Sequence, residues 1–510
     1  MKPSKLLDLV SVACLTGALL GQSPNDIVFC GSSTSGGADQ HAFVDAASGA
    51  VLQEQGAAAT DNVTGAGWTE RGAALYVAQS LTKRISRASW SNGAATWATF
   101  YSAADACYGV EIDHGRRALW TLSGAPKQLL CLDVDPLSVS YGQLVASSAP
   151  LAGLREAWAL SASGDAACVP QLQLGAIDLV DLAPGSATFG QVVDSAVVPG
   201  LATLSFAFSV DCKFAKGDRY VFLTWVSTGT TAGLAVYDRA TSTWLDFSAA
   251  PGLQHLALGL GSPNAIDVAQ DGAFAVISGQ GSGGWAGRAV IDYANPLAST
   301  FTVYQGLAIP RANAISLSPD EGRVALTSSA NQLSAPSDLW ILDPTTGAVL
   351  RAAQLPTMWN VYTTAWSGED AKARFSSFGS ACAGTAGAPT LGPLAGSRSA
   401  LGSLYQLQLT GLPVNGALVA FGLSDSVTSA GLPLPLALDA LGMSGCTQYV
   451  DALALDFVLG AGQQAIWQWP VPSLGALIGV EFFNQAFAYD PAANAFGWTA
   501  SNAGRSTIGL

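Results

Sequence analysis

The feature that most constrains this chain is a turn that returns every 43 to 55 residues. Its anchors are TERG, DHG, SGD, KGD, QDG, PDEG and SGED, and their glycines are Gly72, Gly115, Gly164, Gly217, Gly272, Gly322 and Gly368. Successive spacings are 43, 49, 53, 55, 50 and 46 residues. The first six anchors each lead into a β-branched or aromatic run: ALYVA, ALWTL, ACVPQL, YVFLTW, FAVIS and VALTS. Several units then close on a strand with Asp before a turn, as in CLDVDP, AVYDRATS and WILDPTTG. Short runs of this kind, punctuated by Gly, Pro, Asn and Asp, are strands joined by tight turns.

The unit at residues 313–355 is the clearest. It predicts four strands, at 314–318, 323–328, 338–343 and 348–355. A four-stranded unit repeated at this period is the blade of a β-propeller. The ends of the array complement each other. Residues 26–53 supply outer strands without a first strand, and residues 360–370 supply a first strand and an anchor without outer strands. Joined, they make one blade, which brings the expected count to seven and removes an open sheet edge.

The stretch SLSPDEGRVALTSS, followed by DLWILDPTTGAVLRAAQL, resembles the blade of YVTN/TolB-type propellers, relatives of the WD40 group. The match is good over 313–355, fair over 264–304 and weak in the first 200 residues. The resemblance implies a fold. Propellers serve as enzymes, binding modules and scaffolds alike.

From about residue 371 the character changes. A Gly/Ala/Ser-rich stretch around Cys382 reads as a linker, and strands are expected at 404–409, 417–422, 448–453, 465–469, 477–489 and 506–510. This is a β-sandwich-like module. It resembles the C-terminal module that recurs on secreted planctomycete proteins. The matching residues are Phe378 to Cys382, Gly445-Cys446 with Tyr449-Val450-Asp451, the run GVEFFNQAFAYD, and the closing Ser501-Asn502 with Ile508-Gly509. Cys382 and Cys446 would close a loop of about 63 residues, either as a disulfide or as two buried thiols.

Composition narrows the function classes. Only 11% of residues are charged, the formal net charge is -14, and no basic cluster occurs. Nucleic acid is not an expected partner, because neutralising phosphates requires Lys and Arg. Lys2 and Lys5, the apolar run 10–20 and the small residues Ala18 and Gly21 read as a secretory signal over 1–22, with Asp8 a departure from the pattern. Ser11-Val12-Ala13-Cys14 departs from a lipoprotein box, with Ser where Leu is expected. No later run has the roughly 18 apolar residues of a membrane span. Of eight cysteines, seven remain after removal of Cys14, an odd number. The pairing of Cys30, Cys107, Cys131, Cys168 and Cys212 stays open, and none has the spacing of a zinc site. His41, His114 and His255 share no motif.

Several short motifs have a plainer reading. GQGSGG at 279–284 matches a dinucleotide fingerprint but opens no helix. Lys216-Gly217-Asp218 could be an adhesive tripeptide, yet it sits on the repeated turn. Asp133 and Asp135 lack the later ligands of a calcium loop. No G-x-S-x-G elbow is present. Trp467 and Trp469 share one strand face, either as a sugar-stacking platform or as core.

The propeller axis is the expected ligand site. Small residues at Gly67, Ala159, Ser209, Ser316 and Ala365 would let the first strands converge there. Tyr108, Glu156, Asn264, Asn313 and Tyr362 fall at equivalent entry positions, and Glu111 and Asp267 lie further in. Such a ring could hold a sugar, a peptide, another small molecule or a calcium-like cation. Equally, it could be a solvated funnel.

The whole sequence is therefore expected to be all-β: a signal at 1–22, a seven-bladed propeller over 23–372 and a β-sandwich-like module over 373–510. The expected role is non-catalytic binding or scaffolding by a monomer that is secreted or lies in the cell envelope or periplasm. Its partner would be a protein, glycan or small molecule, with no required cofactor and no catalytic residues. The alternatives are an enzyme of the lactonase or quinoprotein type, disfavoured by scarce histidine, and a structural or sorting role.

Overall fold

A computed structural model describes residues 27–69, 74–91, 94–152, 157–171, 176–199, 207–227, 232–247, 256–257, 261–281, 283–307, 309–329, 336–356, 358, 361–368, 372–394, 397–474 and 477–509. For 33–39, 55–62, 91, 207–209, 227, 256–257 and 329 it describes the backbone alone. Residues 1–22 and Cys14 lie outside the described residues, as does Glu156. Two compact units emerge, 25–370 and 371–510. Among the described residues, helical turns are short 3-10 segments, such as Pro296–Ala298 and Asp439–Leu441. No helix there is long and apolar enough to cross a membrane.

The first unit is a succession of antiparallel sheets, most of four strands in simple up-and-down order. The unit at 313–355 forms Ala312–Leu317, Val324–Ser329, Ser337–Leu342 and Val349–Leu355, within one or two residues of the expected bounds. The strand run Ile27–Asp45 joins the two ends of the array. Its residues Val28 to Ser32 pair antiparallel with Val361–Trp366, placing Val28 opposite Trp366. The long run Val51–Thr69 then serves two sheets. Its first part pairs with Ile27–Asp45, and its last part, from Val63, pairs with Ala74–Gln79.

Sheets are sorted into a ring by alternation. In a strand, successive side chains point to opposite faces. Along Ile27–Asp45, Val28, Cys30, Ala42 and Val44 pack against Ala325, Leu339 and Ile341 of one neighbouring sheet. Ile27, Phe29 and Phe43 pack on the other face against Trp68, Leu75 and Val77 of the next. The same two-faced packing links the remaining sheets in chain order. Each sheet is therefore buried on both faces, which is why its second strands read as continuous apolar runs. The arrangement is β-propeller-like.

The second unit has a five-stranded sheet, in the order Arg374–Phe378, Trp498–Thr507, Glu481–Tyr489, Gly416–Gly422, Ala454–Leu459, and a three-stranded sheet of Thr390–Pro393, Leu404–Thr410 and Gln464–Pro470. Leu391, Tyr405, Leu407 and Trp467 of the smaller sheet share one core with Val419, Phe482 and Ala486 of the larger. Trp467 is buried there and Trp469 packs beside it, so this pair serves the core rather than a stacking surface. Three expectations need correction. The expected linker contains the strand Arg374–Phe378, the strand expected at 448–453 is Ala454–Leu459, and the last strand spans Trp498–Thr507 rather than 506–510. Residues 447–448 pair instead with Leu436–Ala437, and the Asp451 carboxylate accepts Ser429 N–H at 2.8 Å, holding this segment in a loop. Cys382 and Cys446 form a disulfide.

Candidate functional site: the inner strands and their charged cluster

The first strand of most propeller sheets is bent by a β-bulge, an extra residue that re-aims its neighbours. Register shifts fall at Val63/Gly65, Tyr108/Glu111, Ser209/Asp211, Pro263/Ala265 and Ala312/Ile315. Thr64, Asn264 and Asn313 are thus bulge residues, which is why Asn264 and Asn313 align at one position of the repeat.

Bulge and neighbouring side chains reach across to the adjacent first strand. Thr64 Oγ1 donates to the Cys107 carbonyl at 2.8 Å. Asn264 Nδ2 donates to the Ala312 carbonyl at 2.5 Å. Trp158 Nε1 donates to the Tyr108 carbonyl at 2.9 Å, and Trp68 Nε1 to that of Ala365 at 3.2 Å. Ser316 and Thr364 share a hydroxyl contact at 2.8 Å. Two aspartates accept backbone N–H groups from the following sheet: Asp211 Oδ2 from Ile266 at 3.1 Å, and Asp267 Oδ2 from Leu317 at 2.8 Å. Each also caps its own successor, Cys212 or Val268. At the remaining junction Asp218 accepts Ala162 N–H at 2.7 Å and Ser163 N–H at 3.0 Å. These contacts latch every pair of neighbouring sheets near the axis.

The KGD tripeptide belongs to these latches. Lys216, Gly217 and Asp218 have φ of 54°, 64° and 66°, a tight left-handed turn. Asp218 is buried, and Lys216 Nζ lies 4.0 Å from the Tyr293 ring centroid. Two glycines of GQGSGG are likewise explained by packing. A Cβ at Gly279 would stand 2.4 Å from the Ser262 carbonyl oxygen, and one at Gly284 2.6 Å from Ala312 N.

One charged cluster stands out among the first strands. Lys213 Nζ lies 3.1 Å from Glu111 Oε1. Asp211 and Asp267 add negative potential at Lys213. Although burial works against its charge, Glu111, Asp211 and Asp267 together hold the ammonium ionised well above its ordinary range. Burial pushes Asp211 up to about 6, offset in part by Lys213 and by the Ile266 and Cys212 amides. Lys213 and Glu111 side chains retain 32% and 30% of their exposure, so solvent still screens the pair.

The expected ring residues divide. Glu111 and Asp267 both act on Lys213. Asn264 and Asp267 are also engaged with the next strand. Asn313 is buried, and its carbonyl accepts Ser278 Oγ at 3.0 Å. Tyr108 has Lys127 Nζ 4.5 Å from its ring centroid. Tyr362 is exposed, with its hydroxyl 3.3 Å from Arg311 Nη2. Lys213 and Asp211 were missed in the sequence. Their signal was two charges within two residues inside an otherwise apolar first strand. Among the described residues, no group of three or more His, Cys, Asp or Glu is placed to hold a metal ion. Cys30, Cys107, Cys131, Cys168 and Cys212 are buried free thiols. Burial pushes Cys30 and Cys212 well up, and Cys131 to about 12, which suppresses the reactive thiolate.

No protein-family model matches the chain. No curated protein matches it either. Solved structures of similar shape include a functionally unknown protein from Desulfotomaculum acetoxidans, at 12% identity and TM-score 0.49, covering 66% of this chain and 97% of that one. Another is the periplasmic gluconolactonase of Pseudomonas aeruginosa, at 16% identity and TM-score 0.46, covering 66% and 98%. A third is the hydrazine synthase of Kuenenia stuttgartiensis, at 10% identity and TM-score 0.43, covering 57% and 80%. At these identities no activity passes from them to this chain.

Proposed function

We propose that the chain is a secreted or envelope-located binding protein, a seven-bladed propeller of the YVTN/TolB kind joined to a C-terminal β-sandwich module. Its platform is the axial end of the propeller, where Tyr108, Glu111, Lys213 and Tyr362 offer polar and aromatic contacts around a satisfied charged cluster. The observation that carries a non-catalytic reading is the use of the axial acids. Glu111 bonds Lys213, and Asp211 and Asp267 spend their oxygens on backbone N–H groups. A hydrolytic centre needs acids with free lone pairs converging on a substrate or ion. Here those lone pairs hold the blades together.

A thermal-shift screen of the mature protein against lactones, glycans and divalent cations tests this reading, because a ligand that binds the folded state raises its melting temperature. Binding of a glycan or small polar molecule without turnover, weakened by Lys213→Met, supports it. Lactone hydrolysis that Glu111→Gln abolishes overturns it in favour of an enzyme.

A further inference from the structure

Exposed apolar surface is unevenly spread. Among the described residues, 15 exposed large apolar side chains fall in 371–510, against 14 in the much longer unit 25–370. Four of the 15 alternate along one strand and its flank. Leu453, Leu455, Phe457 and Leu459 are 49%, 55%, 59% and 72% exposed. The intervening side chains lie on the opposite face, where Ala454 and Asp456 are still exposed. Val458 packs on the core, and Asp456 accepts Trp467 Nε1 at 2.8 Å.

This strand, Ala454–Leu459, is the last of its sheet and pairs on one side only, with Gly416–Gly422. Its outer edge presents backbone groups that no described strand pairs. Edges of this kind are usually guarded by Lys, Pro or a bulge. None is present. The six-pair ladder to Gly416–Gly422 has no register shift, the strand has no proline, and no Lys or Arg occurs between Arg398 and Arg505.

We propose that this edge docks a second copy of the same chain, its Ala454–Leu459 strand running antiparallel to its twin about a two-fold axis at Phe457. Charge selects the occupant. A two-fold contact sets like against like, so a charged edge would repel itself. The strand's one charge, Asp456, lies on the opposite face from the stripe, where its carboxylate accepts Trp467 Nε1–H. Register also fits. Pairing Phe457 with its twin sets Leu455 opposite Leu459 on the same face, so the two apolar stripes merge into one set of cross-strand pairs. The four side chains expose on the order of 400 Å², the size at which a patch on a monomer is commonly functional. Two stripes reach only about 800 Å², which places the contact among weak, reversible ones.

Sedimentation equilibrium on the full mature chain tests this, up to about 200 µM, where a contact of micromolar affinity populates the dimer. Wild type is expected to shift from monomer to dimer across that range. Phe457→Lys and Leu455→Lys, both at exposed positions, are expected to stay monomeric with unchanged circular dichroism and melting temperature. A chain monomeric throughout overturns the proposal, as does a dimer that either lysine leaves intact. Capture of a different protein by a persistently monomeric chain overturns it too.

Discussion

Lys213 Nζ and Glu111 Oε1 stand 3.1 Å apart although 102 positions separate the two residues in the chain. They come from sheets that are not neighbours in the ring order, so their contact spans the first strand of the sheet between them. Lys213→Met removes the cation that faces Glu111, Asp211 and Asp267 and leaves their charges without that counterion. A loss of about 2 kcal/mol is expected, and the double variant Lys213→Met with Glu111→Gln should recover part of it, because each single change strands a charge. Urea denaturation of the three variants measures the coupling.

Asp211 makes stability depend on pH in a defined window. Its folded pKa, about 6, exceeds the ordinary value of 3.8, so the folded state holds its proton more tightly than the unfolded chain. Its cost is absent below about pH 4 and complete above pH 6. Relative to wild type, Asp211→Asn should therefore gain stability as pH rises from 4 to 6, by on the order of 2 kcal/mol. Melting temperatures of both proteins across that range decide the sign. A constant difference would show that Asp211 does not titrate there.

Asp218 fastens one turn to the turn of the preceding sheet. Truncation to Ala leaves the part-buried Ala162 amide and the buried Ser163 amide without their acceptor, and a penalty of about 1–3 kcal/mol is expected. Hydrogen exchange at those two amides should accelerate more than at amides of distant sheets.

The disulfide Cys382–Cys446 closes residues 64 positions apart, and reducing it frees the unfolded chain of that constraint. A cost of about 4 kcal/mol is expected, confined to the second unit. Calorimetry with and without reductant should move only the transition belonging to 371–510. Meanwhile the five buried thiols should resist a thiol reagent at pH 8 until the first unit unfolds.

Much of the propeller was legible because its determinants are local. Turn chemistry and β-branched runs recur in each unit, and burial on both sheet faces makes the second strands unbroken apolar words. The axial cluster was only half legible. Glu111 and Asp267 show themselves as acids in first strands, but nothing near them in sequence reveals that Lys213 lies between their charges. The last strand was shortened in the reading because Trp498–Thr507 is rich in Ala, Ser and Gly, poor strand formers. Packing explains that choice: a Cβ on Gly504 would lie 2.4 Å from the Phe375 ring. The register of Arg374–Phe378 against this strand is likewise a long-range fact that a Gly/Ala-rich neighbourhood hides.

The pairing of Val28 with Trp366 sets a clock on biogenesis. The strand at Val28 waits for one that follows more than 330 residues later, so the ring cannot seal until the chain has been made past Trp366. Until then the early blades persist as an open arc with raw ends. Arrival of the final strand then turns a loose arc into a cooperative whole.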